Sequence, residues 1–412
     1  MSFSQARPPG VEGPLIDIDQ HFNEISATWR TAQLPPDRRL VLHDDNQGER
    51  HLYFGDRRIG PGRATRADEY ARIEALVEKD DDAFERELRG RRGQPRRYED
   101  VVDPSISSVS KRLEAMRNMA TDVSVQFPSY GFYWPERLEK IDLGAVHPHM
   151  VAWNRWIADE CRGTAGQILG VGQTGWYDAA DAAAEIYRCA DDGLCGLVVG
   201  MRPYRGLPWS DRSNEPIWRA FAETGLVLFL HTSLMSHSLD PAWELADPAE
   251  HSGPDMVTMV NRSAPAEAVL TDLVFGGVLE RFSALRIAVV ECGTLWVESY
   301  LQRIDWAEQF LAPRNKYLRR RFPIRPSEYV TRQVRMAAFP FEPVSRFFVD
   351  QAPDLLMYSS DFPHDEGTRV GVERLEQALD LVGADTGFRQ KFYVDNARAL
   401  LGRKGAERCS AS

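Results

Sequence analysis

The sequence predicts an α/β protein in which eight parallel strands close into a (β/α)8 TIM barrel, with an insertion after the first strand. Short apolar runs alternate with helical patterns along most of the chain, and polar residues begin where several of these runs stop. Parallel strands covered on both faces read as continuous apolar runs, and the catalytic side chains of such barrels stand at the carboxyl ends of the strands. The strands are predicted at residues 15–19, 122–127, 168–173, 195–200, 226–231, 285–291, 336–341 and 355–360, the seventh from the weakest pattern.

Helical patterns fill the intervals between these strands, as a parallel barrel requires. They are predicted at residues 107–120, 150–161, 179–191, 215–224, 265–275, 295–310, 344–351 and 372–382. Residues 1–13 are predicted to be a flexible lead-in, 14–402 one barrel domain and 403–412 a tail.

Residues 22–100 interrupt this alternation, because they are polar and lack the strand–helix pattern. They contain a hairpin-like stretch around residues 40–54 and an arginine-rich run at 86–97. We interpret the segment as an insertion that covers the barrel mouth or makes a contact between subunits. Acidic residues accompany the arginines, which is typical of a solvated helix face. An anion site is the alternative.

Composition limits the possible partners and compartment. Hydrophobic residues make up 43% of the chain, charged residues 27%, and the net charge is −11. The acidic balance argues against nucleic acid or an anionic membrane as the main partner. Five cysteines without paired spacing indicate reduced thiols. No apolar stretch resembles a signal peptide or a membrane span, so a cytoplasmic protein is predicted.

Four residues of the types that ligate metals follow predicted strands: Asp19, His21, His231 and Asp361. Asp19 and His21 lie two positions apart, which places them on the same side of a strand. Two imidazoles and two carboxylates that converge at a barrel mouth would hold one divalent cation and leave room for a water or substrate oxygen. The alternative for the first pair is a capping aspartate beside a surface histidine.

Further polar residues at strand ends are candidates for catalysis. Asp361 could both ligate a metal and exchange a proton with water or substrate. His364 could contact the substrate or tune Asp361, or it could brace the loop. Glu291 ends the sixth strand, where a buried carboxylate needs a partner such as a ligand histidine or a substrate hydroxyl. Cys292 is expected to pack rather than react, because no base is spaced for it.

The substrate pocket is predicted from an arginine and a group of aromatic residues. Arg202 follows the fourth strand and could bind a substrate carboxylate through its fork of donors, with a structural ion pair as the alternative. That strand end offers no lysine or glutamate to bridge two ions, so one metal is predicted. The aromatic residues after strands two and three suggest a flat aromatic pocket, although core packing would explain each singly: Tyr130, Phe132, Trp134 and Trp176.

These residues form motifs that resemble the amidohydrolase superfamily. The motifs are the Asp-x-Asp-x-His-x-x-Glu start at residues 17–24, His231, the Val-Glu-Cys-Gly run at 290–293 and the Ser-Asp-Phe-Pro-His-x-Glu-Gly run at 360–367. More narrowly, the chain is similar over roughly residues 14–402 to the amidohydrolase-related branch. That branch includes aminocarboxymuconate-semialdehyde decarboxylase, resorcylate-type decarboxylases and several hydrolases and hydratases.

The resemblance implies a metal-dependent barrel and a homodimer. It assigns Asp19, His21, His231 and Asp361 as metal ligands, with Asp361 also transferring protons. The usual His-x-His is Asp-x-His here, a change that aromatic-acid decarboxylases of the branch tolerate. Glu291 stands where many members have a histidine, which changes the contact with the substrate.

The sequence therefore predicts an enzyme with one divalent ion, Zn²⁺ first and Mn²⁺ or Fe²⁺ as alternatives. Its substrate is expected to be a small aromatic or unsaturated carboxylic acid. The ligand set permits hydrolysis through metal-activated water and non-oxidative decarboxylation. Catalysis is assigned to Asp361, His231, Glu291 and His364, and substrate binding to Arg202, Trp176 and Tyr130. A non-catalytic binding or scaffold protein on a degenerate barrel is the alternative.

Overall fold

The computed structural model describes residues 5–44, 50–60, 103–232, 256–314, 322–364 and 367–409. Eight of its strands form one parallel sheet in chain order, and three others form a separate antiparallel sheet. The predicted (β/α)8 barrel and its insertion after the first strand are confirmed. The strands are β1 (Ile16–Phe22), β2 (Leu40–Asp44), β3 (Arg50–Phe54), β4 (Arg57–Gly60), β5 (Val123–Pro128), β6 (Ile168–Gln173), β7 (Gly196–Val198), β8 (Val227–His231), β9 (Arg286–Val290), β10 (Val334–Ala337) and β11 (Leu356–Met357).

Helices cover the outside of the sheet and complete the alternation. Short 3₁₀ turns and a π-helical turn (Lys391–Asp395) join some of them. The α-helices are α1 (Val109–Asn118), α2 (Trp134–Cys161), α3 (Ala179–Asp191), α4 (Glu215–Thr224), α5 (Met256–Val260), α6 (Ala264–Phe275), α7 (Val278–Arg281), α8 (Val297–Leu311), α9 (Pro326–Gln333), α10 (Arg346–Asp350), α11 (Gly371–Leu381), α12 (Thr386–Gln390) and α13 (Asn396–Cys409).

β1 is hydrogen-bonded to the segment that follows β11, so the first and last strands of the barrel sequence are adjacent. The backbone N–H of Ile18 donates to the carbonyl of Tyr358 over 3.1 Å, and that of His21 donates to Phe362 over 2.7 Å. Gln20 also forms a parallel bridge with Phe362. The carboxyl ends of β1 and β11 are therefore neighbours, which places residue 361 beside residues 19 and 21.

Two apolar layers hold the barrel. Side chains that point inward, such as Phe127 and Phe229, fill its interior, and those that alternate with them, such as Leu228 and Ile287, pack against the helices. Both sets are fully buried. Each such side chain contributes roughly 1.5–3 kcal/mol through burial, so the strand ends that carry the polar residues rest on a rigid base.

Most predicted elements are present, and two predictions near the barrel wall were wrong. The seventh strand spans Val334–Ala337 rather than residues 336–341, and the helix Pro326–Gln333 before it was not predicted. α2 begins at Trp134 rather than at residue 150. Asp142 (φ −156°, ψ 86°) and Pro148 interrupt the helical pattern inside α2. The first half of this helix was therefore not predicted. The last helix bends at Gly402 (φ 72°), where the predicted tail begins.

The described part of the insertion is a small sheet attached to α2. The predicted hairpin is confirmed, because β2 and β3 pair antiparallel and β4 adds a third strand. Leu52 of β3 packs in one apolar cluster with Leu138 of α2. His149 accepts the backbone N–H of Leu40 at Nε2 over 2.9 Å. The predicted arginine-rich run at residues 86–97 lies outside the described residues.

Within the described residues, no helix combines the length and apolar character that crossing a bilayer requires.

Candidate metal centre

The structure brings together the four residues predicted to bind metal. His21 Nε2 lies 3.3 Å from Asp19 Oδ1 and 3.2 Å from Asp361 Oδ1. His231 Nε2 lies 3.5 Å from the same Asp19 oxygen. Atoms bound at about 2.1 Å around one ion are separated by about 3.0–3.4 Å. The ligand atoms of Asp19, His21 and His231 all lie within 4.8 Å of one another. Asp361 joins them through His21, at the carboxyl ends of β1 and β8 and the residues after β11.

Each histidine has a fixed orientation, because its other ring nitrogen is occupied. Nδ1 of His21 lies 2.9 Å from the carbonyl oxygen of Pro128, and Nδ1 of His231 lies 2.6 Å from that of Thr232. A carbonyl accepts only from N–H, so Nδ1 carries the proton and Nε2 presents a lone pair to the centre. This is the usual arrangement of a metal-binding histidine.

The atoms that face the centre have no hydrogen-bond partner among the described residues. They are Asp19 Oδ1, His21 Nε2, His231 Nε2 and both side-chain oxygens of Asp361. All four side chains are almost completely buried. Buried polar atoms are nearly always paired, since leaving one unpaired is costly. A cation is the partner that would satisfy imidazole nitrogens and carboxylate oxygens at once, so this donor set fits one divalent ion.

Electrostatics agree with the need for positive charge. Burial disfavours the charged form of His21, but the adjacent carboxylates of Asp19 and Asp361 outweigh it and raise the pKa of His21 to about 10. The carboxylates thus attract one positive charge at His21 Nε2, either a proton or, in its place, a metal ion. Burial would also raise the pKa of Asp361, yet the charge of His364 and the contact with His21 keep that pKa below its usual range. Two carboxylates in so dry a place require a cation beside them.

Asp17 ties the first strand to the segment that carries Asp361. Its Oδ1 accepts the backbone N–H of Asp19 over 3.2 Å and that of Ser360 over 3.0 Å, and its Oδ2 accepts Gln20 Nε2 over 2.8 Å. A single buried carboxylate thus fixes the backbone next to two of the candidate ligands.

Arg112 of α1 is a second brace beneath the centre, and no sequence pattern indicated this role. It is fully buried, and its Nη2 donates to the carbonyl of His21 over 2.6 Å. Its Nη1 donates to the side chains of Gln20 (3.0 Å) and Gln126 (2.8 Å). These bonds hold the carboxyl ends of β1 and β5 together.

Glu291 and Asp361 both occupy left-handed backbone conformations, with φ of 55° and 54°. Such conformations cost about 1–3 kcal/mol for residues other than glycine, and they concentrate at functional sites. Close packing holds the left-handed conformation of Asp361 in place. Gly367 lies so near that a Cβ on it would be 2.1 Å from the Asp361 carbonyl oxygen.

Glu291 contacts a histidine and an arginine, and the sequence did not reveal the arginine. Its Oε2 lies 3.5 Å from His231 Nδ1, and its Oε1 accepts Arg262 Nη2 over 3.0 Å. The Arg262 guanidinium also lies over the ring of Phe339, 4.9 Å from the ring centre. Arg262 approaches from the segment before α6, far from any strand end, so no strand-end pattern could indicate it.

His364 lies against Asp361 and His21. Its Nδ1 is 3.1 Å from Asp361 Oδ1, and its ring centre is 3.7 Å from that of His21. Its side chain is 20% exposed, whereas Asp361 is buried. Of the predicted alternatives, this geometry favours tuning of Asp361 over a simple loop brace. Glu291 and His364 also have ligand-type atoms within 4.8 Å of those of His21 and Asp361.

A small cavity opens beside His231. The ring of Phe132 stacks on His231 with 4.4 Å between centres and 16° between planes. The cavity is lined by residues that follow four neighbouring strands and by the start of α2: Gly131, Phe132, Pro135, Glu136, Met150, Gln173, Thr174, Val198, Val199, Gly200, Arg202, Tyr204 and His231.

The three residues predicted to bind substrate do not lie together in the structure. Arg202 lines the cavity, but it is ion-paired with Glu139 and with Glu136, whose Oε1 lies 3.4 Å from Arg202 Nε. This supports the predicted alternative of a structural ion pair.

Trp176 and Tyr130 do not line the cavity within the described residues. Trp176 packs in the core with its ring centre 4.0 Å from that of Trp209, and Tyr130 packs against the insertion. The aromatic wall of the cavity is Phe132 and Tyr204 instead. Cys292 is buried, and burial raises the pKa of its thiol, which agrees with a packing role.

The sequence and fold were compared with those of known proteins. The amidohydrolase family model matches residues 16–403. The crystal structure of an amidohydrolase from Mycobacterium avium subsp. paratuberculosis superposes with a TM-score of 0.74 at 20% identity, covering 95% of this chain and 99% of that one. No curated protein sequence matches.

Two decarboxylase structures are also similar in fold. One is 5-carboxyvanillate decarboxylase from Novosphingobium aromaticivorans, with manganese and 4-hydroxy-3-methoxy-5-nitrobenzoic acid; its TM-score is 0.62 at 17% identity, covering 97% of this chain and 99% of that one. The other is a dihydroxybenzoic acid decarboxylase from a Polaromonas species, with manganese and the inhibitor 2-nitroresorcinol. Its TM-score is 0.57 at 13% identity, covering 95% and 97%. At these identities the likeness concerns the fold.

Proposed function

Because the chain belongs to the amidohydrolase family, we propose that it is a mononuclear metal-dependent enzyme that removes CO₂ from a small aromatic carboxylic acid without oxidation. The observation that carries the proposal is the convergence of unpaired, buried donor atoms from Asp19, His21, His231 and Asp361, with His231 also in the wall of an open cavity. The aromatic-acid decarboxylases with the same fold support this choice of reaction.

The four residues would hold one divalent ion. Bound there, it would supply positive charge to a substrate carboxylate and phenolic oxygen, or acidify a water in a hydrolytic reaction. The prediction from sequence put Zn²⁺ first. The manganese in two structures of the same fold makes Mn²⁺ the first ion to test, since mixed nitrogen and oxygen sites accept several ions according to supply.

Asp361 is the residue placed to move the proton. Its Oδ1 lies 3.1 Å from His364 Nδ1, so a proton can pass between these two groups. In decarboxylation the proton goes to the ring carbon that bears the carboxylate. The bond from that carbon to the carboxylate then breaks, its electron pair restores the aromatic ring, and CO₂ leaves. The partly exposed His364 can return a proton from solvent to Asp361.

Phe132 and the buried walls prepare the site for a flat ring. Phe132 stacks on His231 and meets His21 edge-on at 5.7 Å, so it excludes water from one side of both imidazoles. Exclusion of water strengthens every charge interaction in the site. Glu291, which Arg262 holds, contacts His231 at Nδ1.

Hydrolysis is the second candidate, and one observation favours it. Glu291 supplies a further carboxylate close to the centre, with a ligand-type atom within 4.8 Å of those of His21 and Asp361, and a carboxylate there can accept a proton from an attacking water. A non-catalytic binding protein is the remaining alternative predicted from the sequence.

The test uses protein supplied with Mn²⁺ or Zn²⁺ and a panel of mono- and dihydroxybenzoic acids with their amides and esters, in water enriched in ¹⁸O or deuterium. We expect CO₂ release, one deuterium on the ring of the product and no ¹⁸O in it. Incorporation of ¹⁸O without CO₂ would establish the hydrolase instead. Absence of both in metal-loaded protein would favour the binding protein. The Asp361→Asn variant is the control for background reaction.

A homodimer and a cytoplasmic location also remain predictions. Sedimentation of the purified protein tests the first, and fractionation of cells tests the second.

A further inference from the structure

Two neighbouring polar side chains in the cavity wall have no role in the metal centre. Gln173 ends β6 and Thr174 follows it, and both line the cavity together with His231. Their exposed fractions are 4% and 2%. Gln173 Oε1 and Thr174 Oγ1 have no hydrogen-bond partner among the described residues.

The side-chain amide of Gln173 is held in one orientation. Its Nε2 donates to the carbonyl of Gly131 over 3.0 Å, so the oxygen must be the other atom. Gly131 is fixed in turn, because its N–H donates to Glu24 Oε1 over 2.7 Å. A Cβ on Gly131 would lie 2.6 Å from Gln173 Nε2, so glycine permits this close approach. Gln173 therefore presents a bare acceptor whose position is set by its neighbours.

Packing alone does not account for the two free atoms. An apolar side chain of similar size would fill the wall without leaving an unpaired oxygen, which destabilises a buried site. The hydrogen bond from Nε2 to Gly131 explains an amide at position 173, but it leaves Oε1 unused. The hydroxyl of Thr174 makes no such bond. Both residues line the cavity.

We propose that Gln173 and Thr174 recognise a hydroxyl group on the ring of the substrate, which donates to Gln173 Oε1 and accepts from Thr174 Oγ1. This inference rests on the proposed function, since it selects among aromatic acids for the same cavity. Gln173 Oε1 can only accept, whereas the Thr174 hydroxyl can also donate. A neutral hydroxyl complements both, because it can donate to Gln173 Oε1 and accept the Thr174 proton at once.

This pairing separates closely related ligands. A methoxy group can accept from Thr174 but leaves Gln173 Oε1 unpaired, and a bare ring position leaves both atoms unpaired. An amino group can donate to Gln173 but is a poor acceptor. Sites built to bind a hydroxyl reject analogues that lack it, because the protein's buried polar groups then lose their partners. We expect the order hydroxyl, amino, methoxy, hydrogen.

The experiment measures binding by calorimetry to Mn²⁺-loaded protein, using benzoate and its hydroxy, amino and methoxy derivatives at each ring position. Wild type should bind one hydroxylated isomer about 10- to 100-fold more tightly than its methoxy counterpart. Thr174→Val and Gln173→Met should each reduce that ratio about tenfold. Thr174→Ser, which keeps the hydroxyl, should retain the wild-type ratio. Thr224→Val, at the end of α4 and bonded to Ala220, is the matched control and should leave the ratio unchanged. Thermal unfolding of each variant confirms that it is folded.

Equal binding of hydroxy and methoxy ligands by wild type would overturn the inference, as would a ratio that persists in both Thr174→Val and Gln173→Met, or no binding of any ligand. Failure of the proposed function looks different. The hydroxyl preference and its loss in the variants would remain, while no CO₂ is released from any of the bound acids.

Discussion

Arg262 and Glu291 form a buried ion pair beside the candidate metal centre, with 3.0 Å between Nη2 and Oε1. The pair joins the segment before α6 to the end of β9, and its carboxylate also faces His231. Nε and Nη1 of Arg262 have no hydrogen-bond partner among the described residues. Arg262 therefore compensates the charge of Glu291 from one side.

Replacing Arg262 by methionine should destabilise the fold by about 3–5 kcal/mol, because it removes one partner of a buried ion pair and leaves the other in place. Adding Glu291→Gln in the same chain should recover much of this loss, since it removes the charge. Urea denaturation of the two single variants and the double variant gives the three values. Arg303→Met is the control, because the Arg303–Glu267 pair is more exposed and should cost under about 1 kcal/mol. Equal losses in both arginine variants would contradict the special role of the buried pair.

Metal content should depend on the four strand-end residues and on no other histidine of the site. We expect one Mn²⁺ or Zn²⁺ per chain in wild type, and almost none in His231→Asn and Asp361→Asn, because each loses a buried atom that faces the centre. His364→Asn should keep the ion. Mass spectrometry of dialysed protein measures it directly. A free metal concentration of 100 times Kd should also stabilise wild type by about 2.7 kcal/mol, with no such shift in His231→Asn. Full metal occupancy in both ligand variants would refute this assignment.

The barrel and the four candidate ligands could be predicted from the sequence because their signals are local. A buried strand of a parallel sheet is an apolar run, and Asp19, His21, His231 and Asp361 each follow one directly. The seventh strand was misplaced because Arg335 lies inside it. Its apolar run continues past the strand into residues 338–341, which form a loop.

The surroundings of the ligands could not be predicted in the same way. Arg262 reaches Glu291 across 29 positions of sequence, and its neighbours show no strand or motif that would indicate the contact. Arg202 was expected to face substrate because it follows a strand, but Glu136 and Glu139 of α2 lie close enough to pair with it. Such partners are set by helix packing, which the periodicity of a single chain does not specify.

A methyl group at residue 367 should disturb the centre without touching a ligand side chain. In Gly367→Ala the new Cβ would lie 2.1 Å from the carbonyl oxygen of Asp361, and backbone atoms cannot yield by that amount. We expect lower stability and metal affinity reduced at least tenfold, measured by denaturation and by metal titration. Gly144→Ala is the matched control. It lies in α2, and its nearest atom would be 3.5 Å away, so it should stabilise by about 0.5–1 kcal/mol. Unchanged metal affinity in Gly367→Ala would show that Asp361 tolerates the shift.

His149 should make attachment of the insertion sensitive to acid. Its Nδ1 donates to Ala145 and its Nε2 accepts the N–H of Leu40, so the ring must be neutral. Burial, together with the nearby charge of Arg39, lowers the pKa of His149 to about 4 against its usual 6.5, although the bond to Ala145 opposes the shift.

Between pH 6.5 and 4 the unfolded chain therefore binds a proton at this histidine that the folded chain does not. Stability from this residue is present above pH 6.5 and is lost as the pH falls, by at most about 1.4 kcal/mol per pH unit. The His149→Gln variant keeps an acceptor for Leu40 but does not titrate. Wild type should lose about 2 kcal/mol more than this variant between pH 7 and pH 4.5 in urea denaturation. Parallel curves for the two proteins would show that the ring titrates normally in the fold.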